Sequence, residues 1–144
     1  MATSDFFRVR LVGWREAEAR LAPIRYTVFV EEQKVPVEVE MDGLDPECAH
    51  AVAESLSGEA IGTGRLLPDG RIGRMAVLAG WRRKGVGAAI LEALMDEARR
   101  RGFRETYLHA QAHAKKFYLR HGYAPHGEEY LEAGIAHLEM RAKL

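Results

Sequence analysis

Six consecutive residues, Arg82, Arg83, Lys84, Gly85, Val86 and Gly87, combine three cationic side chains with two glycines, and Ala88 continues them into a helical pattern. Backbone N–H groups at a helix start have no intrahelical acceptor and lie at the positive end of the helix dipole, so residues 85–88 can direct donors at an anion. Glycine lets the backbone come close to a bulky pyrophosphate and take turn conformations closed to other residues. The chemistry of this stretch is phosphate binding. A Walker-type loop does not fit, because no Gly-Lys-Ser/Thr occurs at the spacing it needs. A dinucleotide-binding turn fits in part, since Glu105 lies about 20 residues beyond Gly85, where a ribose-binding acid would sit. Yet Ile90 stands at its third glycine position, and a basic turn separates Gly85 from the end of the apolar run at Leu78, where that fold has a tight turn.

The elements that would position this turn follow from the periodicity. Residues 6–12 alternate as a strand that Gly13 ends. Residues 14–33 read as helical, in two pieces, because Ala17, Leu21, Ile24, Val28 and Phe29 recur near helical spacing while Pro23 interrupts them. The second piece is rich in β-branched and aromatic residues and passes for a strand on propensity alone. Residues 50–55, 59–67 and 71–78 are expected to form a three-strand antiparallel meander, with turns at 56–58 and 68–70. A helix over 85–101 carries Val86, Ala89, Ile90, Ala93, Leu94 and Ala98 on one face. It ends in Arg99, Arg100 and Arg101 before Gly102, which reads as a helix cap. Residues 104–110 form a strand that a single helical crossover makes parallel to the one before. A short helix over 113–121 and a hairpin of strands 123–130 and 135–142 complete the chain.

With 144 residues the chain is long enough for one domain, 1–144, that needs neither disulfide nor metal to fold. Its 21 basic and 21 acidic side chains cancel, which argues against a protein that coats nucleic acid or an anionic membrane. The absence of an apolar run near membrane-spanning length, and of a basic-then-apolar leader, points to the cytoplasm. Cys48 lies among Asp45, Glu47 and His50, one thiol and one imidazole where zinc needs more ligands, so no metal is expected. Residues 31–47 hold seven acidic side chains and one basic one. Such a segment is either a solvated connection or a negative entrance for a cationic substrate.

Arg82-x-x-Gly85-x-Gly87-Ala88 after a strand resembles the acetyl-coenzyme A (acetyl-CoA) motif of the GNAT superfamily of N-acetyltransferases. Gln111-x-x-Ala114-x-x-Phe117-Tyr118-x-x-x-Gly122-Tyr123 resembles that superfamily's downstream motif, with Gln111 in place of the asparagine common there. Arg25-x-x-Val28-Phe29-Val30-Glu31-Glu32-Gln33, then Glu40-x-Asp42-x-x-Asp45, His50, and Gly134-Ile135-Ala136-His137 are similar to small GNAT proteins of the ElaA and YjcF type, with Ala136 where proline is common. The resemblance covers almost the whole chain. It implies an α/β (α+β mixed) fold, a mainly antiparallel mixed sheet flanked by helices, with acetyl-CoA held where two strands splay. It implies transfer of an acetyl group to a primary amine of a small molecule or peptide. Homodimers are common among relatives, but no apolar stripe here identifies an interface.

The resemblance assigns the donor to Met75, Ala76, Val77, Arg82, Arg83, Lys84, Gly85, Val86, Gly87, Ala88, Gln111 and Tyr118. Tyr118 stands where the family places an acid for the departing thiolate, and a backbone N–H of residues 75–77 would polarise the carbonyl. Attack on a thioester needs a neutral amine, so a base must take a proton directly or through water. Glu32, Glu40, His50 and His109 are the candidates. Arg25, Glu32, Arg65, Arg74 and His137 are candidate acceptor contacts, and Arg65 and Arg74 could instead brace the acidic segment. Tyr118 could equally be a core aromatic, and the histidines structural. The other function class that fits is a partner protein that binds acyl-CoA without catalysis.

Overall fold

The computed structural model describes residues 6–144, so the reading of a missing leader, which includes residues 1–5, lies outside it. Two four-stranded sheets face the same central opening. The first contains β1 (Phe7–Val12), β2 (Ala49–Ser55), β3 (Ala60–Leu66) and β4 (Ile72–Val77), antiparallel in chain order. The second centres on β8 (Ile135–Lys143), which pairs with β5 (Glu105–Gln111) on one edge and with β6 (Ala124–Pro125) and β7 (Tyr130–Glu132) elsewhere. The sheets meet through one parallel bridge, Arg71 to Tyr107, which bears out the parallel crossover expected from the sequence. Beyond that bridge β4 and β5 separate.

Helices cover the first sheet on both faces, which explains why β2 and β3 are buried almost end to end. Helix α1 (Trp14–Arg25) lies against Val12, Val52 and Ala60, and α3 (Val86–Arg100) packs on Ala51, Ala53 and Ile61. The glycines of β3 set how near α3 comes. A Cβ at Gly64 would lie 2.8 Å from Ile90 Cγ2, and one at Gly62 would lie 3.0 Å from Ile90 Cδ1. The packing surface of α3 is the apolar face read from its spacing. Its C-terminus is closed by Gly102 at φ +88° and the Phe103 N–H bond to Ala98 O.

Three local features depart from the sequence expectation. Pro23 does not divide the first helix; the chain stays helical through it and then widens into a π-helical turn, Tyr26–Glu32, closed by Gln33 N–H to Val28 O at 3.2 Å. β4 is not regular: its register with β3 slips opposite Gly64, and Arg74 sits at φ +49°, a β-bulge. The expected strand over 123–130 is broken into β6 and β7, because Gly127 at φ +93° turns the chain away between them. A short helix α2 (Val37–Glu40) interrupts the acidic segment, and α4 (Lys115–Arg120) packs beside β5.

Candidate active site

The separation of β4 from β5 opens a cleft of about 560 Å³, within the range of small-ligand sites. Its walls include the end of the π-helical turn with Phe29, Glu32 and Gln33, β4 with Met75, Ala76 and Val77, β5 with His109 and Gln111, and Tyr118 on α4, and the acidic segment and the β7–β8 turn border it further out. The β4 wall carries an unspent backbone donor. Leu78 N–H bonds to Ile61 O, so antiparallel alternation makes Thr63 and Ala76 a bonded pair and turns the N–H and C=O of Val77 away from β3, toward the opening. Arg82 Nε confirms the direction by donating to Val77 O at 2.9 Å.

Among the described residues the Tyr118 hydroxyl has no nitrogen or oxygen partner and donates only a long, weak bond to Met75 Sδ at 3.9 Å. Burial pushes its pKa up to about 12, so it holds its proton at neutral pH. At the start of α3, Gly85 takes φ +84° and Arg83 φ +63°. Nothing lies within 4 Å of where a Gly85 side chain would begin. The cleft reaches Arg82, whereas residues 83–88 form the turn and helix start beside it, with Lys84 Nζ 5.4 Å from the centre of the Trp81 ring. These groups fit an acyl-CoA: the helix start and the basic side chains would hold its phosphates, and Val77, Met75 and Tyr118 would surround its thioester.

The candidate bases separate sharply. Glu40 borders the cleft, but its carboxylate accepts Arg25 Nε at 2.5 Å in a buried pair. His50 lies away from the cleft, fully buried, with Nε2 on Asp45 O at 2.9 Å and its ring 4.9 Å from that of Trp14. Burial lowers its pKa, and its surroundings make it a neutral structural imidazole. Glu32 is in the cleft but accepts Arg82 Nη2 at 2.6 Å. His109 is in the cleft with Nδ1 hydrogen-bonded to the Tyr130 hydroxyl. Burial first, and the charge of Arg71 second, hold its pKa below the ordinary histidine value. His137 also lines the cleft, its Nδ1–H donating to Ile135 O at 2.7 Å. Gln111, expected at the cofactor, donates to Gln33 Oε1 and accepts from His113 Nε2, both at 2.7 Å, and so ties β5 to the π-helical turn.

Arg25, Arg65 and Arg74 are consumed internally rather than offered to an acceptor. Arg25 grips Asp45 with two bonds of 2.6 and 3.1 Å, Arg65 reaches Asp45 at 2.9 Å and Asp42 at 2.5 Å, and Arg74 reaches Asp42 at 3.2 Å. The brace weighed from the sequence is therefore what forms. The acidic segment is not a negative entrance over this stretch, because its inner carboxylates are neutralised. Burial raises the pKa of Asp42 and Asp45, but the arginine bonds outweigh it and hold both carboxyls below the usual range. The residue that sequence reasoning missed is Arg71, which lines the cleft beside His109. Nothing in its spacing singles it out, because the β4–β5 bridge that brings it to the cleft joins residues far apart in the chain.

A family model described as an acetyltransferase (GNAT) domain matches residues 19–144. The chain belongs to the GNAT family of acetyltransferases. This GNAT protein is 43% identical over 122 residues to the Bacillus subtilis protein named Uncharacterized N-acetyltransferase YjcF, covering 81% of this chain and 86% of that one. An acyl-CoA N-acyltransferase from Pseudomonas aeruginosa has the same structure with a TM-score of 0.82 and 32% identity, over 94% of this chain and 99% of the other. Escherichia coli ElaA matches with a TM-score of 0.83 and 26% identity over the same shares of each chain. The ElaA and YjcF likeness read from the motifs is thus shown, and the GNAT chain is an acyltransferase with a mixed α/β fold. No helix among the described residues is long and apolar enough to cross a membrane.

Proposed function

We propose that this GNAT enzyme transfers acetyl from acetyl-CoA directly to the primary amine of a small molecule or peptide while both are bound. The observation that carries the reading is the pairing, across one cleft, of an outward Val77 N–H with the uncommitted Tyr118 hydroxyl. Acetyl-CoA supplies an activated thioester. Val77 N–H is placed to donate to the carbonyl oxygen as it gains negative charge. Tyr118 holds a proton for the sulfur that leaves, so charge need not build in an apolar wall.

His109 is the base in this reading. In the tautomer whose Nδ1–H donates to Tyr130, the one this reading uses, the Nε2 lone pair is left for the amine proton. A lowered pKa makes it too weak to strip a free ammonium, whose pKa is about 10. It takes the proton as nitrogen bonds to carbon, when the amine becomes far more acidic. Cys48 is buried and has its pKa raised by desolvation, and no acyl-enzyme on it enters the scheme.

Coenzyme A release on mixing the enzyme with acetyl-CoA and a panel of amines tests the activity. Tyr118→Phe should turn over slower by on the order of a hundredfold while binding acetyl-CoA normally. Equal turnover removes Tyr118 from the mechanism. Ping-pong kinetics with an acetylated protein in the mass spectrum would refute direct transfer.

A further inference from the structure

If the enzyme transfers acetyl as proposed, its acceptor lies on the side of the opening away from Tyr118, and the charges lining that space are unequally committed. Four arginines border the cleft. Arg65 and Arg74 are bound to the acidic brace, and Arg82 is bound to Glu32 and Val77 O. Arg71 differs. Among the described residues no carboxylate lies within ion-pair reach of its guanidinium, although its backbone is fixed twice, by the bridge to Tyr107 and by its N–H bond to Asp69 Oδ1 at 3.1 Å. The head group is therefore open while its root is held.

The carboxylates of the same space are already used. Glu32, Glu40 and Asp42 each accept from an arginine, which leaves Glu132 at the rim, 3.6 Å from His137 Nε2. Arg71 is close enough for its charge to bear on His109 and Tyr130, so the open cation and the proposed base share one compartment. A guanidinium offers a planar fork of donors that fits a carboxylate or phosphate with two parallel bonds. Such a cation bordering a ligand space, with no carboxylate in an ion pair with it among the described residues, is complementary to an anionic ligand rather than to a plain alkylamine.

We infer that the acceptor is a small amine that also carries an oxyanion, a carboxylate or a phosphate, bound by Arg71 while its amino group lies at His109. The transfer balances as before: a C–N bond forms as the C–S bond breaks, the amine proton passes to His109, and the thiolate takes the Tyr118 proton.

The test compares kcat/KM for ω-amino acids, ω-aminoalkyl phosphates and unsubstituted alkylamines of matched chain lengths, in wild type, Arg71→Gln and Arg71→Lys. Wild type should prefer one oxyanion series over the alkylamines by roughly tenfold to a hundredfold, the range of a charge-assisted pair. The preferred series distinguishes carboxylate from phosphate. Arg71→Gln should bring the preference toward one, and Arg71→Lys should restore part of it, with thermal unfolding checking that each variant is folded. A wild-type preference near one, or a preference untouched in Arg71→Gln, overturns the inference while leaving acyl transfer standing. If no amine is turned over, acyl transfer is what fails, and binding decides the inference: saturable NMR line broadening of the amino acids or aminophosphates that Arg71→Gln abolishes supports it, and its absence in wild type overturns it.

Discussion

Removing Asp45 should unseat the acceptor side of the cleft, and the size of the effect comes from the charges around it. Three guanidiniums, Arg25, Arg65 and Arg74, interlock with three carboxylates, Glu40, Asp42 and Asp45. Asp45 is at their centre, 3% exposed, and accepts from both Arg25 and Arg65, themselves 2% and 3% exposed. Asp45→Ala leaves one positive charge without compensation where water cannot reach it. Breaking a buried pair from one side costs about 3–5 kcal/mol. At about 3 °C per kcal/mol for a chain of this size, the melting temperature should fall by about 10–15 °C. Urea or thermal unfolding followed by circular dichroism measures it. The pH dependence supplies a second reading. Because the folded-state pKa of Asp45 is depressed, its contribution is complete above the unfolded value of about 3.9 and is lost as pH falls through the folded one. The gap between wild type and variant should therefore narrow below about pH 4. A cost below about 1 kcal/mol at pH 7 would place the pair among solvated ones. That result, or a gap that persists in acid, refutes the reasoning.

Other outcomes are expected from the same structure. Gly64→Ala drives a Cβ against Ile90 and Leu94 of α3 and should cost about 1–3 kcal/mol, read as a lower urea midpoint with the slope unchanged. Cys48→Ala should keep acetyl transfer at the wild-type rate, and native Cys48 should resist iodoacetamide until the chain is unfolded, as mass spectrometry of the alkylated protein would show. Because His109 cannot deprotonate a free ammonium, kcat/KM should rise about tenfold per pH unit between pH 7 and 9 with the neutral fraction of an alkylamine. A plateau across that range would mean that the enzyme itself removes the proton.

The meander, α3 and the phosphate turn were legible because each rests on local chemistry: turn residues at 56–58 and 68–70 between short strands, a single apolar face from Val86 to Ala98, and Gly85 at a conformation few residues take. The motif residues likewise led to the family, and Tyr118 to the cleft. What the spacing could not show is which charges find each other. Arg25 meets Asp45 across 20 residues, and Arg65 meets Asp42 across 23, through a loop with no periodicity. That pairing turned Glu40 from a candidate base into a partner of Arg25 and left Arg71 as the open cation. The π-helical turn was equally hidden, since Thr27, Val28 and Val30 suit a strand and a widened ladder has no sequence period of its own. The bulge at Arg74 was hidden for another reason, because nothing in an arginine announces a left-handed backbone.

The widened turn at Tyr26–Glu32 has an evolutionary corollary. A π-helical turn fits about one more residue into the same rotation as the α-helical turn it replaces, so deleting a single residue there would restore ordinary pitch and leave the downstream chain at nearly its present angle about the helix axis. Glu32 and Gln33 would then still face Arg82 and Gln111, their partners across the cleft. Only the residues inside the turn would change faces. A one-residue gap between homologues at this place is thus compatible with an unchanged mouth, and an alignment that forces equal lengths through the turn would pair positions that do not do the same work.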